Sequence, residues 1–191
     1  MYLLGLDVGT SGCKAAVFSD NGETITHAYN EYDLIYPQKG WMELDPEDVT
    51  SAVFDCIKKC SSEGHGPDIE AIAVSTQGEA VIPVGTDGKP LANSIVTFDN
   101  RNIEEYKWFD NKFDKYETMK ITGAPLHTMT TVLKILWIKN NMRKIYDKTW
   151  KFMCFGDYIS YRLGAEPACC QSPNLRLKAI FFSLYLRLCL V

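Results

Sequence analysis

The stretch LGLDVGTSGCKAAVFSD, residues 4–20, decides the fold. Tyr2 to Val8 is mostly apolar and reads as a buried strand, and Cys13 to Ser19 reads as a second. Gly9-Thr10-Ser11-Gly12 between them is a tight polar turn, and Asp7 places a carboxylate just before it. Glycine at 9 and 12 permits positive φ and close backbone approach. Exposed amides in such a turn form an anion-binding nest, to which the Thr10 and Ser11 hydroxyls add donors. Asp7 suits Mg2+ held through water, because that ion prefers hard oxygen ligands and keeps several waters. Lys14 brings positive charge beside a phosphate. The pattern is not the P-loop, which needs a longer Gly-Lys-Ser/Thr loop opening a helix; here a strand follows. The competing reading of the same residues is an ordinary glycine-rich hairpin with a solvated Asp7.

Working outward, Asp20-Asn21-Gly22 is a hairpin signal, and Glu23 to Tyr32 follows as a third antiparallel strand. The chain therefore opens with a three-stranded meander. Asp45-Pro46-Glu47-Asp48 starts a helix, with Asp45 as N-cap and Pro46 at the first helical position. Val49, Val53, Phe54, Ile57 and Cys60 form its apolar stripe. Ile69 to Ser75 reads as a buried strand parallel to the first, and Glu79 to Val84 as another. Asn102 to Asn141 is periodic as helix, interrupted at Thr122-Gly123-Ala124-Pro125. Trp150 to Phe155 reads as a strand and Gly156 to Leu163 as a short helix.

The 191 residues carry a net charge of -4, which argues against nucleic acid as a partner, since phosphate backbones need a basic surface. No run reaches the roughly 18 apolar residues of a membrane span. MYLLGLDVGTS has no basic leader region. The seven cysteines lack paired or zinc-type spacing and read as reduced thiols, so the expected location is cytoplasmic. His65, His127 and the four tryptophans read as structural.

The segments that follow the opening hairpin, in order, are GWMELDPEDV (40–49), IEAIAVSTQGEA (69–80), DGKPL (87–91), IVTFDNR (95–101), TGAPLHTM (122–129), LKILWIKNN (133–141) and CFGDYISYRLGAEP (154–167). Together they resemble the FGGY carbohydrate kinases. The resemblance implies an α/β, ribonuclease-H-like (actin/hexokinase-type) domain with a five-stranded mixed sheet flanked by helices. It implies ATP-dependent phosphorylation of a sugar or polyol hydroxyl, with ATP and Mg2+ as cofactors. Asp7, Gly9, Thr10 and Ser11 match the family's first phosphate loop, which meets the nucleotide phosphates and Mg2+, and Lys14 matches a basic position after it. Gln77, Gly78 and Glu79 match its sugar-binding segment, and Asp99 and Arg101 match an Asp-x-Arg that helps build the sugar pocket. Independently of the family, Gln77 and Glu79 supply both the donors and the acceptors that polyol hydroxyls need; otherwise they satisfy loop backbone, and Asp99–Arg101 is a surface ion pair of little energetic value.

The sequence departs from the family pattern at Thr97, where members usually have Trp. It departs at Gly78, where glycerol kinases have Arg, and at Gly78-Glu79, where xylulokinases have Met-His. Gly78 leaves room for a bulkier polyol, pentulose or sugar acid.

Residues 168–191 contain none of the chain's 24 acidic residues and do not match the family. The expected organisation is a family N-terminal domain over 1–167 and a divergent, frameshifted or artificially ended tail over 168–191. The general base is expected beyond the C-terminus, leaving this piece inactive alone. Its exposed apolar surface would favour homo-oligomers. The alternative function is a non-catalytic sugar- or nucleotide-binding fragment, or a regulator of the actin-like superfamily.

Overall fold

The computed structural model describes residues 1–168. The opening meander forms as expected: β1 (Tyr2–Val8) pairs antiparallel with β2 (Gly12–Ser19), and β2 with β3 (Thr24–Glu31). Helix α1 (Pro46–Glu63) then carries the chain across to β5 (Ile69–Thr76), which lies parallel to β1 on its other side. The first sheet thus has the order β3-β2-β1-β5.

Helix α1 begins where the caps demand. The Asp45 side chain accepts from the Glu47 amide at 2.8 Å, and Pro46 occupies a position whose missing N–H costs nothing. Its buried stripe of Val49, Val53, Cys56 and Cys60 packs on the inner face of the sheet, where Leu4, Leu6, Val8, Cys13, Ala15 and Val17 are buried in the same core. Each fully buried aliphatic side chain of this kind contributes about 1.5–3 kcal/mol.

A second sheet, wholly antiparallel, has the order β4 (Glu43–Leu44), β7 (Ser94–Ile95), β6 (Val81–Val84), β8 (Lys151–Cys154). Helices α2 (Ile103–Lys112), α3 (Lys115–Thr122), α4 (Thr131–Asn141), α5 (Arg143–Lys148) and α6 (Phe155–Arg162) complete the described chain. Gly123 ends α3 in the left-handed conformation at φ +75, the glycine C-cap that Thr122-Gly123 signals.

Three expectations need correction. The first sheet has four strands among the described residues, not five. The apolar run after β5 does form a strand, β6, but in the second sheet. The backbone turns at Glu79, whose φ is +58, and periodicity identifies a strand without naming its neighbour. Second, β5 is not a buried strand. It lies at a sheet edge, with Ala71, Ile72 and Ala73 exposed and Ile72 at 46%. Third, the helical tract divides into α2, α3 and α4, and α5 follows unannounced, as do the two-residue strands β4 and β7. Expectations for the tail fall on residues 169–191, outside the described ones.

Candidate functional site

The parallel pair β1–β5 brings the two suspected loops together. Asp7 lies opposite Ser75 and Val8 opposite Thr76, so the glycine turn and the Gln77–Glu79 loop leave the sheet side by side. The Gln77 amide donates to the Val8 carbonyl at 2.9 Å, and its side-chain Nε2 donates to the Gly9 carbonyl at 3.1 Å. The Gln77 Oε1 is buried without a partner among the described residues.

The turn is rigidly built. The Gly9 amide donates to the Gly12 carbonyl at 2.9 Å, and the Tyr32 hydroxyl donates to the carbonyls of Gly9 and Gly12 at 2.8 and 3.0 Å. Burial pushes the Tyr32 phenol well above its ordinary range, so it stays protonated and a donor. Neither Gly9 nor Gly12 uses the positive φ that glycine permits. Gly12 is required by space instead: a Cβ there would stand 2.7 Å from the Asn30 carbonyl and 2.7 Å from the Tyr29 hydroxyl. Thr10 and Ser11 fall between strands, and among the described residues their amides donate to no intrachain acceptor. Asp7 and Lys14 are both exposed and face each other across β1 and β2.

This donor set fits a polyphosphate. It offers two unspent amides, two hydroxyls, an ammonium and one accessible carboxylate. Among the described residues no group of three or more His, Cys, Asp or Glu is arranged to hold a metal ion. A cation here would therefore be held by Asp7 and water, the habit of Mg2+.

The second loop is held from helix α4. The Glu79 Oε2 accepts from the Thr131 amide at 2.6 Å and from the Thr131 hydroxyl, and no hydrogen bond reaches Oε1 among the described residues. Lys134, fully buried, donates from Nζ to the Glu79 carbonyl at 2.8 Å and to the Met129 carbonyl at 2.5 Å. The Thr97 hydroxyl donates to the Gly78 carbonyl. A Cβ on Gly78 would meet open space.

Asp99 and Arg101 form a buried pair, not a surface one. The Asp99 Oδ1 accepts from the Arg101 amide at 2.8 Å and Nε at 2.9 Å; Oδ2 accepts from Arg101 Nη2 at 2.8 Å and the Met42 amide at 2.6 Å. Arg101 Nη1 reaches Glu43 at 2.8 Å, and its guanidinium lies 4.0 Å from the Trp41 ring centroid. The two side chains are 2% and 0% exposed, so the pair anchors the loop carrying Thr97.

Sequence reasoning missed Tyr32, Thr131, Lys134 and Glu43, and noted Thr97 only as a departure from the family pattern. Only Lys134 left a signal: a lysine inside Val132-Leu133-Lys134-Ile135-Leu136 interrupts an apolar run, and lysine is almost never fully buried unless paired. Of the residues set aside as structural, His127 accepts from the Met129 amide at 3.2 Å and Trp137 is buried, whereas Trp108 and Trp150 are 43% exposed. No helix among the described residues is long and apolar enough to cross a membrane.

Residues 2–174 match the model of the N-terminal domain of the FGGY family of carbohydrate kinases. The chain is 31% identical over 165 residues to a gluconokinase of Bacillus subtilis (strain 168), covering 86% of this chain and 32% of that protein. It is 26% identical over 162 residues to a xylulose kinase of Staphylococcus xylosus, covering 85% and 34%. Among solved structures, gluconate kinase from Lactobacillus acidophilus superposes with a TM-score of 0.78 at 30% identity, over 84% of this chain and 32% of that one. Plasmodium falciparum glycerol kinase with ADP shares the fold at 23% identity, with a TM-score of 0.80 over 85% of this chain and 34% of that one. The chain spans about a third of the length of the curated relatives it matches.

Proposed function

Because the chain belongs to the FGGY family of carbohydrate kinases, we propose that it forms the phosphate- and sugar-handling part of an ATP-dependent kinase acting on a sugar or polyol hydroxyl. The observation that carries this reading is the Gln77–Gly9 hydrogen bond of 3.1 Å, because it makes the phosphate turn and the polyol loop one surface. Phosphoryl transfer depends mainly on positioning and charge neutralisation, and both start from such a contact.

The amides and hydroxyls of Thr10 and Ser11 receive phosphate oxygens, Lys14 adds positive charge, and Gly9 and Gly12 keep the backbone close. Asp7 holds Mg2+ through water. When bound, that ion offsets the charge of the terminal phosphates. Glu79 Oε1, which no hydrogen bond reaches among the described residues, accepts from a sugar hydroxyl, and Gln77 Oε1, buried and without a partner among the described residues, does so once its side chain turns toward the substrate. Gly78 leaves space beside them for a substrate. Asp99 and Arg101 serve the pocket through the loop they lock.

Each described carboxylate at this surface already has a role: Asp7 faces the cation and Glu79 is clamped as a polyol ligand. Asp99 is saturated by Arg101 and Met42, and one Glu79 oxygen by Thr131. We therefore assign the general base to no described residue. Binding without turnover is the expected behaviour of this chain alone, as a cytoplasmic protein acting on small molecules.

Calorimetry with Mg-ATP, gluconate, D-xylulose and glycerol tests the proposal. Wild type should bind nucleotide and at least one polyol. Asp7→Ala should lose nucleotide affinity and Gln77→Ala polyol affinity. Absence of both ligands' binding would sink the reading, and turnover at an ordinary enzyme rate would sink the assignment of the base.

A further inference from the structure

We infer that Thr131 and Lys134, at the start of helix α4, are positioning residues that set the direction of the Glu79 carboxylate; the inference rests on the reading of Glu79 as a polyol ligand. Glu79 adopts φ +58, one of two positive-φ residues other than glycine among the described ones. A residue held in that sparsely populated region persists only where its surroundings over-determine it, and such residues concentrate at binding and catalytic sites. Glycine would adopt the same backbone without strain, so the presence of glutamate there implies a use for its side chain.

The surroundings that hold Glu79 come from one helix, fifty-two and fifty-five residues further along the chain. Thr131 donates twice to one carboxylate oxygen, from its amide and its hydroxyl. Its amide is among those the first helical turn leaves without an intrahelical acceptor. The N-cap residue, Thr130, makes no side-chain cap hydrogen bond, so Glu79 takes that role from across the fold. A carboxylate there also meets the favourable end of the helix dipole. Lys134 sits one turn further in and is fully buried. Burying an ammonium is costly unless hydrogen bonds compensate. Its Nζ reaches the Glu79 carbonyl and, in the preceding loop, the Met129 carbonyl, tying both loops to α4.

The division of the carboxylate follows from this clamp. Thr131 occupies Oε2 and leaves Oε1 without a hydrogen bond among the described residues. Rotation of the carboxyl about its axis would break two charge-assisted hydrogen bonds, which are the strong kind. Oε1 is thereby presented in one direction to a substrate hydroxyl. A merely structural cap would serve equally well with both oxygens shared among the helix amides.

The test uses the whole 191-residue chain and the variants Thr131→Val, which removes the hydroxyl donor and keeps the amide, Thr131→Ser, which restores both, and Lys134→Met. Hydrogen–deuterium exchange at residues 78–80, calorimetric affinity for gluconate, D-xylulose and glycerol, and affinity for Mg-ATP are measured on each. Thr131→Val should speed exchange at 78–80 and weaken the best polyol about tenfold, the effect of one hydrogen bond to a charged group. Mg-ATP affinity should stay as in wild type, and Thr131→Ser should restore both readouts. Unchanged exchange and polyol affinity in Thr131→Val would overturn the inference. So would parallel losses of polyol and Mg-ATP affinity that Thr131→Ser does not rescue, since those mark general destabilisation. If wild type binds no polyol, the reading of Glu79 as a ligand fails, while the exchange at 78–80 still decides whether Thr131 and Lys134 hold the loop.

Discussion

The Gln77 side chain donates to the Gly9 carbonyl at 3.1 Å, while its own backbone amide donates to the Val8 carbonyl at 2.9 Å. One residue thus stitches the end of β5 to the turn that leaves β1. Replacing it with Leu keeps the volume and removes the side-chain donor and the buried Oε1. Affinities for polyol and Mg-ATP should both fall, the polyol by about tenfold or more and the nucleotide by less, because hydrogen bonds of this kind contribute about 1 kcal/mol each. Calorimetry on the same sample for both ligands checks it. A loss confined to nucleotide would show that Gln77 does not face the polyol.

The glycines of the two loops should respond oppositely to one added methyl group. At Gly12 a Cβ meets backbone and a ring hydroxyl at 2.7 Å, contacts that cannot move without disturbing β3. At Gly78 it meets nothing within 4 Å. Gly12→Ala should cost about 1–3 kcal/mol, as overpacking in a close-packed interior does, and Gly78→Ala should be close to neutral. Urea denaturation of both variants decides; equal midpoints would refute the steric account.

Arg101 is buried with two carboxylates and an aromatic ring, and lysine cannot reproduce its planar fork. Arg101→Met should destabilise the chain by about 3–5 kcal/mol, the range for removing one partner of a buried pair and leaving the other charge uncompensated, and Arg101→Lys, which keeps the charge and loses the fork, by less. Thermal unfolding would register it. A surface pair would lose less than about 1 kcal/mol, so the size of the change tells the two situations apart.

How much of this was readable beforehand follows the range of each interaction. The meander, the cap of α1 and the parallel β5 depend on residues near one another in sequence, and the patterns declared them. Asp7, Thr10, Ser11 and Gln77 could be singled out as candidates because loop composition is local, and the structure sets their two loops side by side. The partners of Glu79 lie fifty residues away, and no local pattern encodes them. The exposure of β5 escaped for a related reason: Ile-Glu-Ala-Ile-Ala-Val-Ser reads as a buried run, and whether a neighbour covers it is a tertiary fact. Asp99 was a candidate from its place in the segment, but its saturation by Arg101 and Met42 depended on a loop brought from residue 42.

Alkaline pH should weaken the fold. Burial, with Cys56 nearby, pushes the Cys13 thiol from 9.0 up to about 12, and burial raises the Tyr158 phenol to about 12. Burial also raises the thiols of Cys56 and Cys60. The native chain therefore holds protons that the unfolded chain releases. Stability from these groups is complete below their unfolded pKa values and declines as pH rises toward the folded ones. The urea midpoint should fall between pH 9.0 and 12, with a shallower slope for Cys13→Ala. A midpoint independent of pH across that window would contradict the burial of these groups.

Self-association should run through β5. Among the described residues it pairs with β1 alone, and Ala71 to Thr76 carries no charge. Ile72 points to the inner face yet is 46% exposed. An apolar edge without charge or proline is a template for another strand. Antiparallel pairing of two copies centred on Ile72 would set each Ile72 beside its mate and each Glu70 opposite Val74, with no like charges opposed. Ile72→Lys places an ammonium at that centre. In sedimentation velocity the wild-type chain should grow heavier with concentration, and Ile72→Lys should stay at the monomer's coefficient with an unchanged circular dichroism spectrum. If Ile72→Lys associates as strongly as wild type, the edge is not the seam, and association must run through another surface, such as the aromatic groove of Tyr106, Phe109, Phe113 and Tyr116 between α2 and α3.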